Sequence, residues 1–273
     1  SYAYLEHHYR WDTDGSRAEW TEFVSPDDVR QTDIDVYTHE IQLQGSAFDN
    51  NLDFATGFYY EIQEPDGPEG QQIRAFYNDV STDWEIEKET YGPYAQATYN
   101  LGHFFTGLTG WEITAGIRKS FDRVEGESVF LQSMFGIPSP PAFLDGKMKD
   151  SAVTWTLGLD YKGEHSLTYA KVSRGYKVGG FTITAANPAK SEYDSEFVFN
   201  YELGNKLDFN IGHIPVRLNT AAYYTDYTDM QRHGVDVYVD PNNPSIAPRI
   251  GAAVVNAGEA SIAGLELEAT IIP

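Results

Sequence analysis

The sequence predicts an all-β protein: a transmembrane, antiparallel, up-and-down β-barrel of which this chain supplies about ten strands. Three observations predict it. Hydrophobicity alternates with period two over runs of roughly 10 to 17 residues, whereas ordinary strands average about 5 to 6. The connections between runs alternate strictly between short and long, which gathers tight turns at one end of the wall and extended loops at the other. No window approaches the ~18 uninterrupted apolar residues of a membrane helix, yet 14% of the residues are aromatic and they recur throughout.

Each run can be justified in turn. Tyr2 to Trp11 opens the series, and Asp33 to Gly45 follows it. Asn51 to Gln63 sets Leu52, Phe54, Thr56, Phe58, Tyr60 and Ile62 against Asp53, Ala55, Gly57, Tyr59 and Glu61. Thr90 to Leu101 is weaker, and Gly110 to Phe121 opposes Trp111, Ile113, Ala115 and Ile117 to Glu112, Thr114, Gly116 and Arg118. Ala152 to Tyr161 alternates most cleanly. His165 to Lys177, Glu196 to Phe209, Pro215 to Met230 and Val254 to Ile271 complete the set. Short links fall at Gly45 to Asn51, Leu101 to Gly110, Lys162 to Glu164 and Asn210 to Ile214; long ones at Asp12 to Thr32, Glu64 to Glu89, Arg123 to Lys147, Val178 to Tyr193 and Gln231 to Ala253. Trp11, Trp84, Trp111 and Trp155 lie near strand ends or on the apolar face, where amphipathic rings suit a membrane interface. A β-sandwich would need shorter strands and loops.

Composition excludes other classes. With 19 Lys and Arg against 41 Asp and Glu, the net charge is −22, and no basic stripe for nucleic acid is available. No cysteine means no disulfide framework and no thiolate-bound zinc. The seven histidines form no close zinc pair, so no metal site and no cofactor are predicted. A hydrolase built on a barrel needs Ser, His and an orienting carboxylate at one rim. His233, near Asp229 and Asp236, is the only tempting base, and no serine sits in an elbow-like context, so no catalytic residue is assigned.

Several runs carry a family likeness. SLTYAKVSRGYKVGGF (Ser166 to Phe181) resembles the segment "YAS-SRGFK-GGF" of TonB-dependent outer-membrane receptors of the siderophore type. YTHEIQLQG, LDFATGFYYEIQE, YGPYAQATYNL, WEITAGIRKSFD, YELGNKLDF, LNTAAYYTDYTDMQ and VVNAGEASIAGLELEATIIP are similar to that family's strands in its order. The resemblance implies a barrel of about 22 strands closed by a plug. On that reading residues 1–273 are an interior portion, with the plug domain and the C-terminal strands outside this chain. It also implies uptake driven through the TonB complex, acting on the missing plug, in the outer membrane of a Gram-negative bacterium. Lipid and lipopolysaccharide would surround the wall, and a ferric siderophore is the ligand it suggests. A passive porin-like channel is the alternative, with a hydrolase barrel behind it.

Parity assigns Glu112, Arg118, Asp160, Glu202, Lys206, Arg217 and Glu266 to the polar, lumen-facing side, because a charge against lipid costs about 2 to 4 kcal/mol near the midplane. The loops offer Tyr77, Trp84, Phe130, Phe135, Phe143, Phe181, Tyr193 and Tyr238 as rings to stack on a flat ligand.

Overall fold

The computed structural model describes residues 2–7, 10–12, 21–24, 32–67, 69–75, 78–183, 185–187, 191–242, 244 and 248–271. In chain order the strands are β1 (Tyr2–His7), β2 (Arg10–Asp12), β3 (Thr21–Val24), β4 (Thr32–Ala47), β5 (Leu52–Pro65), β6 (Glu69–Ala75), β7 (Asn78–Asn100), β8 (Trp111–Met134) and β9 (Ile137–Pro138). They continue with β10 (Ala142–Lys162), β11 (Ser166–Lys177), β12 (Gly180–Phe181), β13 (Glu192–Tyr193), β14 (Glu196–Ile211), β15 (Ile214–Thr228), β16 (Gln231–Tyr238), β17 (Arg249–Asn256) and β18 (Ala260–Ile271). The main sheet runs β1-β4-β5-β7-β8-β10-β11-β14-β15-β18, every neighbouring pair antiparallel, so ten strands form one curved wall.

Tight turns close the lower end. Gly212 and His213 alone connect β14 to β15, with Gly212 at a φ of 64°. There a side chain would be strained, and the mirror-image turn matches strand twist. Between β4 and β5, Phe48, Asp49 and Asn50 all take positive φ, and the Asn51 side chain steadies the turn by donating to the Phe48 carbonyl at 2.7 Å.

Because cross-strand partners share a face, the register sorts the side chains into two surfaces. One row reads Gly45, Phe54, Ala97, Ala115, Leu157, Val172, Tyr201, Tyr224 and Ala263; the next polar row reads Ser46, Asp53, Thr98, Thr114, Gly158, Lys171, Glu202, Tyr223 and Gly264. Large side chains on the apolar face stand uncovered by protein: Ile41 is 80% exposed and Leu265 86%. Only an apolar surrounding makes such a surface favourable. Aromatic pairs bound it, with Trp111 against Tyr161 at 5.1 Å below and Tyr91 stacked on Phe121 at 5.2 Å above. The ten-residue rise from Trp111 to Phe121, at ~3.3 Å per residue and a tilt of about 40°, spans about 25 Å, the height of a lipid-facing band.

On the polar face, three tyrosines lie over glycines directly opposite: Tyr94 over Gly57, Tyr169 over Gly204 and Tyr223 over Gly264. A Cβ on Gly204 would sit 2.3 Å from Tyr169 Cζ, so only glycine leaves room for the ring.

The long connections are a correction. Much of 64–89 and 123–147 is not loop: β7 spans 23 residues and β8 24, and β8 with β10 forms a tall hairpin above the aromatic band, turned only at 135–141. Above that band water wets the strands, so Glu125, Glu127, Asp145 and Lys147 replace the apolar row while the backbone ladder continues unbroken. The pairing of β7 with β8 is interrupted between Tyr91 and Tyr94, at Gly92 and Pro93, where proline has no N–H to give the ladder, while its pairing with β5 continues.

Candidate functional site

The polar face and the tall strands above it form the candidate site. Continuous register places Glu112, Arg118, Asp160, Glu202, Lys206, Arg217 and Glu266 on this one face. Several are tied to neighbours. Lys162 Nζ lies 2.7 Å from Glu112, Arg217 grips Asp208 with two hydrogen bonds of 2.7 and 3.1 Å, and Tyr169 donates to Glu202 at 2.6 Å. Arg118 donates to Ser120 Oγ at 3.0 Å and stands 5.0 Å from the Tyr59 ring centroid. Beside it Gln42 donates to the Tyr94 hydroxyl at 2.9 Å, which in turn donates to Glu40 at 2.6 Å. Residues of β4, β7, β8, β10 and β11 around Arg118 line a recess of about 440 Å³.

The aromatic candidates are scattered. Phe130 and Phe143 lie on opposite faces, since Phe130 pairs with Ala142 and Phe143 with Val129. Phe130 is 8% exposed and Phe143 70%. Phe135 projects from the hairpin tip, 70% exposed, at a φ of 51°. Trp84 is engaged, its indole N–H donating to Glu69 at 2.8 Å. Glu69 also accepts from the Asp33 backbone at 2.9 Å, and burial raises its pKa despite both bonds. Tyr193 is half-buried, its ring lying beside Gly180, and burial raises its hydroxyl pKa. Tyr238 lies beneath Arg249, 5.3 Å from guanidinium to ring centroid. Tyr77 lies outside the described residues.

Phe181 is the clearest departure from a ligand-stacking ring. At 6% exposure it packs with Val124 and Leu144 in a small core, edged by Ile86, Met148 and Ile183. Its ring fills a slot made by Gly126 and Gly146, which face each other across β8 and β10. A Cβ would approach the ring to 2.8 Å from the first and 3.1 Å from the second. The chain around Phe181 is thereby held against the polar side of the tall strands.

Sequence reasoning missed the polar groups that clamp this segment. Asp122 and Asp150 are direct cross-strand partners; Tyr176 donates to Asp122, and Ser195 to Asp150. Ser195 Oγ accepts from the Gly179 backbone at 2.9 Å. The β16–β17 hairpin joins in, with Gln231 donating to Val178 O at 2.9 Å and Asn256 to Asp194 O at 2.8 Å. Polar parity carried past Phe121 was the signal that could have found Asp122 and Asp150. His233 is exposed on β16, and Asp236, three residues along, falls on the opposite face.

A two-faced antiparallel wall with girdles, tight lower turns and tall upper hairpins defines a portion of a transmembrane β-barrel. The family described as "TonB dependent receptor-like, beta-barrel" matches residues 1–271, and the chain belongs to it. It is a family of transport receptors of the Gram-negative outer membrane. Among solved structures, the chain is similar to the ferric yersiniabactin uptake receptor FyuA from Yersinia pestis, with 22% identity and a TM-score of 0.65, covering 92% of this chain and 34% of that one. It is also similar to the ferric-catecholate import receptor Fiu from K12 E. coli, at 11% identity and a TM-score of 0.54, over 91% of this chain and 40% of that one. The chain thus spans little more than a third of these receptors, and the likeness is one of fold. No curated protein sequence matches it.

Proposed function

We propose that this chain is barrel wall of an outer-membrane receptor that takes up a scarce, large solute by TonB-dependent transport, with a ferric siderophore as the ligand. The carrying observation is the register: one face apolar and uncovered, the other lined by paired charges and tyrosine–carboxylate bonds. Such a wall separates lipid from a wet interior. In this reading the seven charged residues on the polar face line the lumen and contact the plug, through which the TonB complex acts, while lipid and lipopolysaccharide surround the apolar face. The ring that remains accessible at the hairpin tip, Phe135, meets the ligand, with Tyr238 on the β16–β17 hairpin, whereas Phe143 lies on the outer face. The cycle needs no covalent chemistry, and the wall needs no cofactor.

Uptake of radiolabelled ferric siderophores by cells carrying or lacking the full-length gene tests this. The expected result is saturable accumulation that stops on addition of a protonophore and in a tonB deletion. Free, non-saturable entry of small solutes, indifferent to both treatments, would mean a passive channel instead.

A further inference from the structure

A cluster of cations stands at the upper edge of the apolar band. Lys119 sits on the apolar side of β8, its ammonium 5.3 Å from the Phe121 ring centroid and donating to Ser151 Oγ at 2.8 Å. Lys149 is two residues from Ser151 on β10, exposed, and directly opposite Arg123. Like charges placed opposite each other on a sheet repel unless something anionic lies between them. Acids account for part of the cluster: Glu125 takes Arg123 at 2.6 Å and also Lys147, with Glu87 and Glu89 opposite on β7. Among the described residues, no carboxylate forms an ion pair with Lys119 or Lys149. Lys119 and Lys149 thus stand on either side of one hydroxyl, neither of them in an ion pair. Ser151 accepts from Lys119, which leaves its own proton for an acceptor oxygen.

Their height is the second observation. The stacked Tyr91–Phe121 pair marks the upper rim of the apolar band; Ser151 lies level with it, Lys149 and Arg123 one step above, and Lys119 one step below with its ammonium reaching the rim at Phe121 and Ser151. Lipid phosphates occupy this level of a bilayer. Lower on the same face, Leu157, Ala170, Val172, Tyr201, Leu203 and Ala222 line an open apolar recess of about 720 Å³.

We propose that Lys119, Lys149 and Ser151, with Arg123 beside them, bind the phosphate ester of an anionic membrane lipid on the outside of the barrel. The proposal rests on the apolar face meeting lipid; it is independent of which solute is transported, so loss of uptake leaves it standing.

The test titrates the full-length protein in neutral detergent with diphosphoryl lipid A and reads the bound fraction by native mass spectrometry. At roughly tenfold to thirtyfold in affinity for two lysines near an anionic surface, K119Q/K149Q is expected to bind about 30-fold more weakly. Ser151→Ala should weaken binding several-fold while preserving every charge. Lys171→Gln, which removes one positive charge from the opposite face, should bind as the parent does, and dephosphorylated lipid A should bind the parent no better than it binds the double variant. Unchanged binding by K119Q/K149Q overturns the proposal, as does an equal loss in Lys171→Gln. Displacement of the lipid by millimolar inorganic phosphate would show a free-anion site and overturn the lipid assignment. Thermal melting of each variant confirms that all are compared folded.

Discussion

Glu69 shows how much one buried carboxylate can hold. It receives the Trp84 indole and the Asp33 backbone N–H, joining β6, β7 and the start of β4. Glu69→Ala strands both donors, and at about 1 to 3 kcal/mol for each buried unsatisfied group the upper hairpin should exchange its amides markedly faster, with the spanning strands unaffected. Phe181 is a second such residue. Its truncation to alanine empties the Gly126–Gly146 slot, which at ~3 kcal/mol for a buried phenylalanine should open the chain at Gly179 to Ile183 to proteolysis while the barrel stays folded. Glu125 gives a pH signature. Arg123, and then Lys147, lower its pKa to about 2. A depressed carboxyl pKa stabilises the folded state above the unfolded value of 4.5, and that contribution fades as pH falls toward 2. Amide protection in the tall hairpin, corrected for intrinsic exchange, should hold from pH 7 to about 5 and decline below that; Glu125→Gln should abolish this pH dependence.

At the scale of strands, the tyrosine–glycine pairs fix register. A tyrosine lying over glycine fills the space a missing side chain leaves, and any one-residue slip would drive the ring into a Cβ. Gly204→Ala should displace the Tyr169 ring and loosen its bond to Glu202, costing about 1 to 3 kcal/mol as an overpacked contact. A lowered midpoint for unfolding of the purified barrel in guanidinium measures this, and Tyr169→Phe/G204A should recover little of it, because the clash is steric. The glycines themselves stood in the sequence on the polar face; their partners did not, since nothing in a linear pattern says which tyrosine lies opposite. The tall hairpin was illegible for a related reason. Its strands are wetted above the apolar band, so the apolar row is replaced by charges, and Arg123 to Lys147 reads as loop although the ladder from Asp122 through Phe130 is unbroken.

At the scale of the molecule, the two faces make opposite demands on charge. Ile117→Arg places a cation on the uncovered apolar face, about midway between the Trp111 and Phe121 girdles, and should cost about 2 to 4 kcal/mol; Gln44→Arg on the polar face should be nearly neutral. Insertion into lipid vesicles, scored by the folded, heat-modifiable band on electrophoresis, separates the two. If both variants insert equally well, the apolar face is not the lipid face.

The sequence by itself determined the wall. Period-two alternation requires only that one surface avoid water and the other seek it, and a strand records that demand residue by residue, so the two faces and the tight turns were readable, while of the four tryptophans assigned to the interface only Trp111, among the described residues, stands in a girdle pair. Tertiary structure alone decided what happens above the membrane edge. There, whether Phe181 is a free ring or a buried wedge depends on two glycines on other strands, and whether Lys119 and Lys149 stand apart or together depends on the register of β8 with β10. These are contacts between distant stretches of chain, set by packing and by which charges find a partner, and no local pattern encodes them.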